Sequence, residues 1–263
     1  SGDVGNNSAL IPGFLPPIIG ADIGVIRGGF IQYTKVPNFR SIYWHVDLPF
    51  ATSWWRSLGL LANTFAMESF IDEMALKANK NAVDFRIQQI GDDAIGVRLK
   101  NVIKAASEKA NYSEEITNGR AMGFAASIDA GTPCAQVVEV SIVDNEIIVH
   151  KVTVSLDPGL AVNPDQIRAQ CEGCVIMGMS AVLYEQMYVE NGELQPTIYG
   201  PYKMALMKNA PKEIDVVLLQ GKDTPGAVGE PPLGPIGAAI ANAVRRLTGQ
   251  RLTELPLKLP RTI

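Results

Sequence analysis

The stretch that most constrains this chain is Pro225 to Gly249, a proline- and glycine-rich loop running straight into an amphipathic helix. Ile236, Ile240 and Val244 recur every four residues with Leu247 three further on, which is one apolar helix face. Pro231, Pro232 and Pro235 are expected in the first helical turn, where no internal donor is lost, and Gly249 is the expected stop. The loop carries one carboxylate, Glu230, and the spacing puts it at the helix N-terminus among unused backbone N–H groups. A Glu there either complements the helix dipole or stands ready as a positioned functional group, and the residues alone leave both open.

Composition sets the outer limits. The chain has 263 residues, 47% of them hydrophobic and 19% charged, so a sizeable core is expected. A net charge of −4 argues against a nucleic-acid surface, because phosphate binding needs clustered Lys and Arg. No apolar run approaches the roughly 20 residues that span a bilayer. Cys134, Cys171 and Cys174 are an odd number of thiols and do not spell a disulfide framework. Cys171 and Cys174 form a Cys-x-x-Cys, but tetrahedral zinc needs four ligands, and the chain offers no second pair and only His45 and His150. At i and i+3 on an apolar helix face, the two thiols are expected to be buried packing residues.

In chain order, residues 1–30 read as an extended lead-in. Ser41 to Leu48 is β-prone, with Ile42, Trp44 and Val46 on one side and His45 on the other. A helix is expected from about Leu58 to Ala78, with two apolar series (Leu58, Leu61, Phe65 and Ala66, Phe70, Met74) buried and Glu68, Asp72 and Glu73 as its polar remainder. Shorter helices are expected over Asn79–Gln89 and Ile95–Ala110. After Asn118-Gly119-Arg120 the texture becomes β, with strands at Ala121–Ile128, Ala135–Val143 and Glu146–Ser155 and a hairpin turn at Asp144-Asn145. Asn163-Pro164-Asp165 then combines an N-cap, a proline at the first helical position and an acid in the first turn. A hairpin (Tyr184–Val189 and Glu193–Ile198 around Asn191-Gly192) and a strand at Ile214–Leu219 precede the opening stretch. Helices and strands mix without strict alternation, so the expected class is α+β: a mainly helical part at 31–118 and an α+β part at 119–263.

Several motifs go beyond periodicity. Gly229-Glu230-Pro231-Pro232 opens a small-residue helix, followed by Thr248-Gly249-Gln250-Arg251-Leu252-Thr253-Glu254-Leu255-Pro256-Leu257. Trp55-Arg56-Ser57-Leu58-Gly59 is followed by Asn63-Thr64-Phe65-Ala66-Met67-Glu68-Ser69-Phe70-Ile71-Asp72-Glu73. Val162-Asn163-Pro164 precedes Gln170-Cys171-Glu172-Gly173, and Ala135-Gln136-Val137-Val138-Glu139-Val140 forms a strand. Together, from about Ile31 to Leu257, these resemble the C-terminal part of the molybdopterin-binding large subunit of the xanthine dehydrogenase/aldehyde oxidase family. Within it they resemble most the branch of the isoquinoline 1-oxidoreductase β-subunit.

The resemblance implies a cofactor-binding-domain fold of mixed sheets packed with helices, and oxidative hydroxylation of an N-heterocycle or an aldehyde. It implies Glu230 as the active-site base beside molybdenum and Arg56 as its catalytic neighbour. Gln170 and Gly229 are implied at the molybdopterin-type cofactor, and Trp55 and Leu58 at the substrate. Leu58 stands where the purine enzymes of the family carry Phe, which speaks against a stacked purine. The Gln136 strand is expected to be fold signature only. The Gly-Gln-Gly and Gly/Ser-rich loops that hold the pterin in that branch are absent from these residues, and Arg27-Gly28-Gly29 is no substitute. The resemblance therefore implies an N-terminal partner segment that shares the cofactor, and a small iron–sulfur subunit. A catalytically silent fragment or assembly module is the alternative, and a metal-free enzyme using Glu230 with Arg56 a third. The compartment stays open.

Overall fold

The structure is a computed structural model that describes residues 23–29, 32–44, 46, 53–221 and 224–260. Its elements in chain order are a short helix α1 (Ile23–Ile26), helices α2 (Leu60–Lys77), α3 (Ala82–Gln89) and α4 (Ala94–Ala110), and strands β1 (Arg120–Asp129), β2 (Thr132–Val143) and β3 (Glu146–Leu156). Helix α5 (Pro164–Leu183), the hairpin β4 (Tyr188–Glu190) and β5 (Glu193–Gln195), strand β6 (Glu213–Leu218) and helix α6 (Ile236–Thr248) follow. The expected α+β class holds. The main sheet runs β1-β2-β3-β6, antiparallel through β3 and parallel between β3 and β6, whose connection passes through α5.

The sheet is buried on both faces. On one face Ala125, Cys134, Val138, Val152 and Val154 meet α5 and α6; on the other Phe124, Ala126, Ala135 and Val137 meet Leu99, Val102, Ile103 and Ala106 of α4. Helix α6 lies so close to β1 that a Cβ on Gly123 would sit 1.9 Å from the Ala239 carbonyl oxygen. Only glycine admits that approach, and the small residues of α6 are what make it possible.

Local signals explain the element ends. Asn163 accepts from the Gln166 N–H at 3.2 Å and caps α5. Asp144 and Asn145 both take positive φ, the conformation a two-residue hairpin turn needs. Three expectations are corrected. Ser41 to Trp44 are not a strand: Ile42 and Trp44 are largely exposed and no strand lies beside them among the described residues, so β-propensity finds no ladder. His45 lies outside the described residues. The hairpin strands are shorter than expected, because Tyr184 still caps α5. On α2 the second apolar series is the outward one, with Phe70 at 66% and Met74 at 40% exposure, while the supposed polar remainder, Glu68 and Asp72, is buried.

That inversion has a physical cause. Arg86 of α3, fully buried, donates through Nε to Glu68 Oε2 at 2.8 Å, through Nη1 to the Ala82 carbonyl at 2.9 Å and through Nη2 to the Glu68 carbonyl at 3.0 Å. Glu68 Oε2 also accepts the Ala126 N–H of β1 at 2.9 Å, and Oε1 accepts the Tyr33 hydroxyl and, at 3.2 Å, the Gln32 amide. Burial pushes the Tyr33 hydroxyl well above its usual pKa, so it remains a donor. A buried charge is tolerable when paired and fully hydrogen-bonded, and costly when its partner is removed. Glu68→Ala is therefore expected to destabilise the fold by about 3–5 kcal/mol, read from the urea midpoint, whereas Phe70→Ser changes it by under about 0.5 kcal/mol. A small effect at Glu68 overturns the account of α2.

Candidate active site

Three chain segments meet at the Gly229-Glu230 loop. The first is the turn before α2, where Ser57 (φ 72°) and Leu58 (φ 52°) both adopt the left-handed region. Non-glycine residues are uncommon there, and such conformations cluster at functional sites. The turn is closed by the Leu58 N–H on the Trp55 carbonyl at 2.9 Å, and it aims the Ser57 N–H at Glu230 Oε1, 3.0 Å away. The Ser57 hydroxyl donates to the Glu230 carbonyl, also at 3.0 Å.

Arg56, next in this turn, is the clamp. Its Nε donates to the Gly229 carbonyl at 2.6 Å, Nη2 reaches the same oxygen, and Nη2 donates to Gln170 Oε1 at 2.6 Å. The second segment is α5, which contributes Gln170 and the Cys174 thiol, 3.3 Å from the Gly229 carbonyl. The third is α1 with the residues after it: Arg27 Nη2 lies 2.7 Å from Glu230 Oε2 and pairs with Asp129 at the end of β1. Sequence reasoning missed Arg27, Ser57 and Asp129. The Arg-Gly-Gly run was visible, but nothing local ties it to residue 230.

Of the residues singled out from sequence, Arg56, Gln170, Gly229 and Glu230 thus form one connected cluster. Trp55 lines an adjoining groove of about 500 Å³ with Ile176, Met177 and Met204. Leu58, half-buried, is not among the groove's lining residues. The position of Glu230 is corrected in one respect. Pro231 and Pro232 form a separate 3₁₀ turn, Pro231–Leu233, and α6 begins only at Ile236, so the α6 N-terminus does not reach Glu230. Side chains hold the turn instead: Gln136, from the strand motif read as fold signature, donates to the Pro232 carbonyl.

Electrostatics at Glu230 favour the carboxylate. Partial burial pushes its pKa up, but the Ser57 N–H and the Arg27 and Arg56 guanidiniums outweigh this and hold it below the usual value. The donor set also fits an oxygen-rich anionic group. Gln170 is exposed, and its amide nitrogen has no partner among the described residues. Arg56 stands beside it, and among the described residues none apart from the chain neighbours of Gly229 comes within 4 Å of where a Cβ on Gly229 would be. Among the described residues there is no cluster of three His, Cys, Asp or Glu that fits a directly bound metal ion, and no helix long and apolar enough to cross a membrane.

The sequence model of the molybdopterin cofactor-binding domain matches residues 64–211, more than half of the chain. The chain belongs to this molybdenum cofactor-binding family. Gln170 lies inside the matched residues; Arg56, Gly229 and Glu230 lie outside them. The chain is 33% identical over 205 residues to the beta subunit of isoquinoline 1-oxidoreductase from Brevundimonas diminuta, covering 77% of this chain and 26% of that protein. It is 31% identical over 229 residues to a subunit of nicotinate dehydrogenase from Pseudomonas putida, covering 80% and 19%. The fold matches the crystal structure of quinoline 2-oxidoreductase from Pseudomonas putida 86 with a TM-score of 0.67 at 10% identity, over 77% of this chain and 51% of that one. The chain thus spans about a quarter or less of the length of the two curated relatives.

The Cys-x-x-Cys is a packing pair. Burial pushes the Cys171 thiol up to about 12 and the Cys174 thiol up to about 11. Since the thiolate is the reactive form, iodoacetamide at pH 8 is expected to leave both unmodified in the native protein and to label both after denaturation, read by peptide mass spectrometry. Rapid native labelling of either overturns this assignment.

Proposed function

We propose that this chain forms part of the large subunit of a molybdenum hydroxylase that oxidatively hydroxylates an N-heterocycle or an aldehyde, with Glu230 as its base. The observation that carries the reading is the convergence of Arg56 and Gln170, from two distant stretches of sequence, on the Gly229-Glu230 loop. In this reading Gln170 and the Gly229 loop hold the molybdopterin-type cofactor, in part with an N-terminal segment of the large subunit. When bound, the cofactor supplies the two-electron redox centre of the reaction.

The chain's own residues then do four things. The Ser57 N–H and Arg27 use two of the acceptor sites on the Glu230 carboxylate, so lone pairs on both oxygens stay open to take a proton. The lowered pKa keeps the carboxylate ionised at neutral pH, ready as a base. Arg56 fixes the Gly229 carbonyl and so the loop that presents Glu230. Trp55, Met177 and Met204 give an apolar groove wall beside the site, suited to a flat heterocycle and to excluding water. The names of the relatives, isoquinoline and nicotinate enzymes, favour that substrate class. A small iron–sulfur subunit would carry the electrons onward.

A second reading treats the isolated chain as a catalytically silent module that assembles with the upstream part of the large subunit. Val189, Ile198, Tyr199, Leu206 and Met207 are all more than half exposed within one segment, which favours an interface there. Mixing the chain with the upstream part on a size-exclusion column tests it, and a lack of association overturns it.

In the complete enzyme, Glu230→Gln is expected to lower turnover by about 10²–10⁴-fold, the usual contribution of a positioned base, while molybdenum stays stoichiometric by metal analysis. Near wild-type turnover in that variant rules out the base.

A further inference from the structure

We propose that Arg27, held by Asp129, is the positioning residue that orients the Glu230 carboxylate through direct contact with its charge. This rests on the reading of Glu230 as the base. Arg27 belongs to neither motif around residues 55–73 or 225–249, and what assigns its role is how completely the fold fixes it on both sides.

Its backbone is fastened to the segment that also carries Arg56 and Ser57. The Gly59 N–H donates to the Gly24 carbonyl at 2.9 Å, and Asn63 Nδ2 donates to the carbonyls of Val25 and Arg27, each at 2.8 Å. Gly28, at φ +71°, lets the chain double back against Leu60, whose atoms would lie 3.0–3.2 Å from a Cβ there. The side chain is fixed from the other direction. Asp129, 5% exposed at the end of β1, accepts from Arg27 Nε at 2.8 Å through Oδ1 and from Nη2 through Oδ2. The same Nη2 reaches Glu230 Oε2 at 2.7 Å. One guanidinium nitrogen therefore couples the sheet to the base.

The consequence is a two-point grip. The Ser57 N–H takes Oε1, Arg27 takes Oε2, and together they set the plane of the carboxylate. The other groups facing Glu230 are Arg56 from the turn before α2 and Cys174 from α5, whose thiol is neutral at ordinary pH; Asp129 is shielded by Arg27 itself. Two cations and one backbone donor thus oppose the partial burial of Glu230. Arg27 is the one cation in direct contact with the carboxylate among the described residues, so it sets both orientation and charge. Were Arg27 only a tie between α1 and β1, its pair with Asp129 would suffice and Glu230 would titrate independently of it.

The test uses Arg27→Gln, Arg27→Lys and Glu230→Gln in the complete enzyme. The Glu230 carboxylate is titrated by infrared difference spectroscopy against Glu230→Gln, which needs no turnover, and the acid limb of kcat/KM is followed in parallel. A base works deprotonated, so activity is lost as pH falls through its pKa, and that limb lies below the ordinary Glu value in the wild type. In Arg27→Gln the infrared midpoint and the acid limb are both expected to move up by about one unit or more, the usual effect of removing an opposite charge in contact. Arg27→Lys keeps the charge and restores most of the midpoint, yet lowers kcat about tenfold or more, because a single ammonium cannot hold both carboxylates in place. An unchanged midpoint in folded Arg27→Gln overturns the proposal. If that variant does not fold, wild-type kcat in Arg27→Lys overturns the orienting role. Full activity in Glu230→Gln with a shifted midpoint in Arg27→Gln would sink the base assignment and leave the pairing standing.

Discussion

One buried carboxylate organises the molecule. Glu68 gathers a guanidinium from α3, an N–H from β1, a phenol from Tyr33 and an amide from Gln32, and so joins two helices, the sheet and the segment before α2 at a single point. In a low-dielectric interior such a network is strong when every member is satisfied and costly when one is missing. It therefore fixes the rotation and height of α2 more tightly than apolar contact alone. The turn at Ser57 and Leu58 is the N-terminal extension of that helix, and its two left-handed residues are a conformation that persists only where the surrounding structure holds it. The geometry at Glu230 is in this sense downstream of Glu68.

The same network explains where sequence reading succeeded and where it failed. Elements whose signals are local were legible: the Asn163 cap, the Asp144-Asn145 turn, the helix expected over Ile95–Ala110, and the stop at Gly249. Helix α2 was recognised, but its faces were misjudged. Periodicity counts apolar residues and assumes that carboxylates face water. It has no means of knowing that Arg86 waits eighteen residues on to neutralise Glu68. Once that pair is buried, the helix turns and Phe70 goes outward.

The candidate site shows the same division. Arg56, Gln170, Gly229 and Glu230 were named from motifs, and they converge. Their partners were not legible, because each contact bridges a long stretch of chain and rests on an ordinary residue type. Asp129 looks like the end of a strand, Ser57 like a helix-start serine, and Gln136 like one more polar position in a β run. Gln136 proves to tie the Pro232 carbonyl to the middle of the sheet. A strand residue read as fold signature thus sets the height of the loop that presents Glu230.

How Glu230 is held bears on what it can do. Had the prolines begun α6, the helix end would have supplied several backbone donors and saturated the carboxylate, giving a good anion and a poor base. The Pro231–Leu233 turn withdraws the helix and substitutes one N–H and one guanidinium. That leaves the group charged and oriented but not fully satisfied. A depressed pKa weakens a base in the thermodynamic sense. It also keeps the deprotonated form dominant at neutral pH. The arrangement favours a standing, oriented negative charge over intrinsic proton affinity.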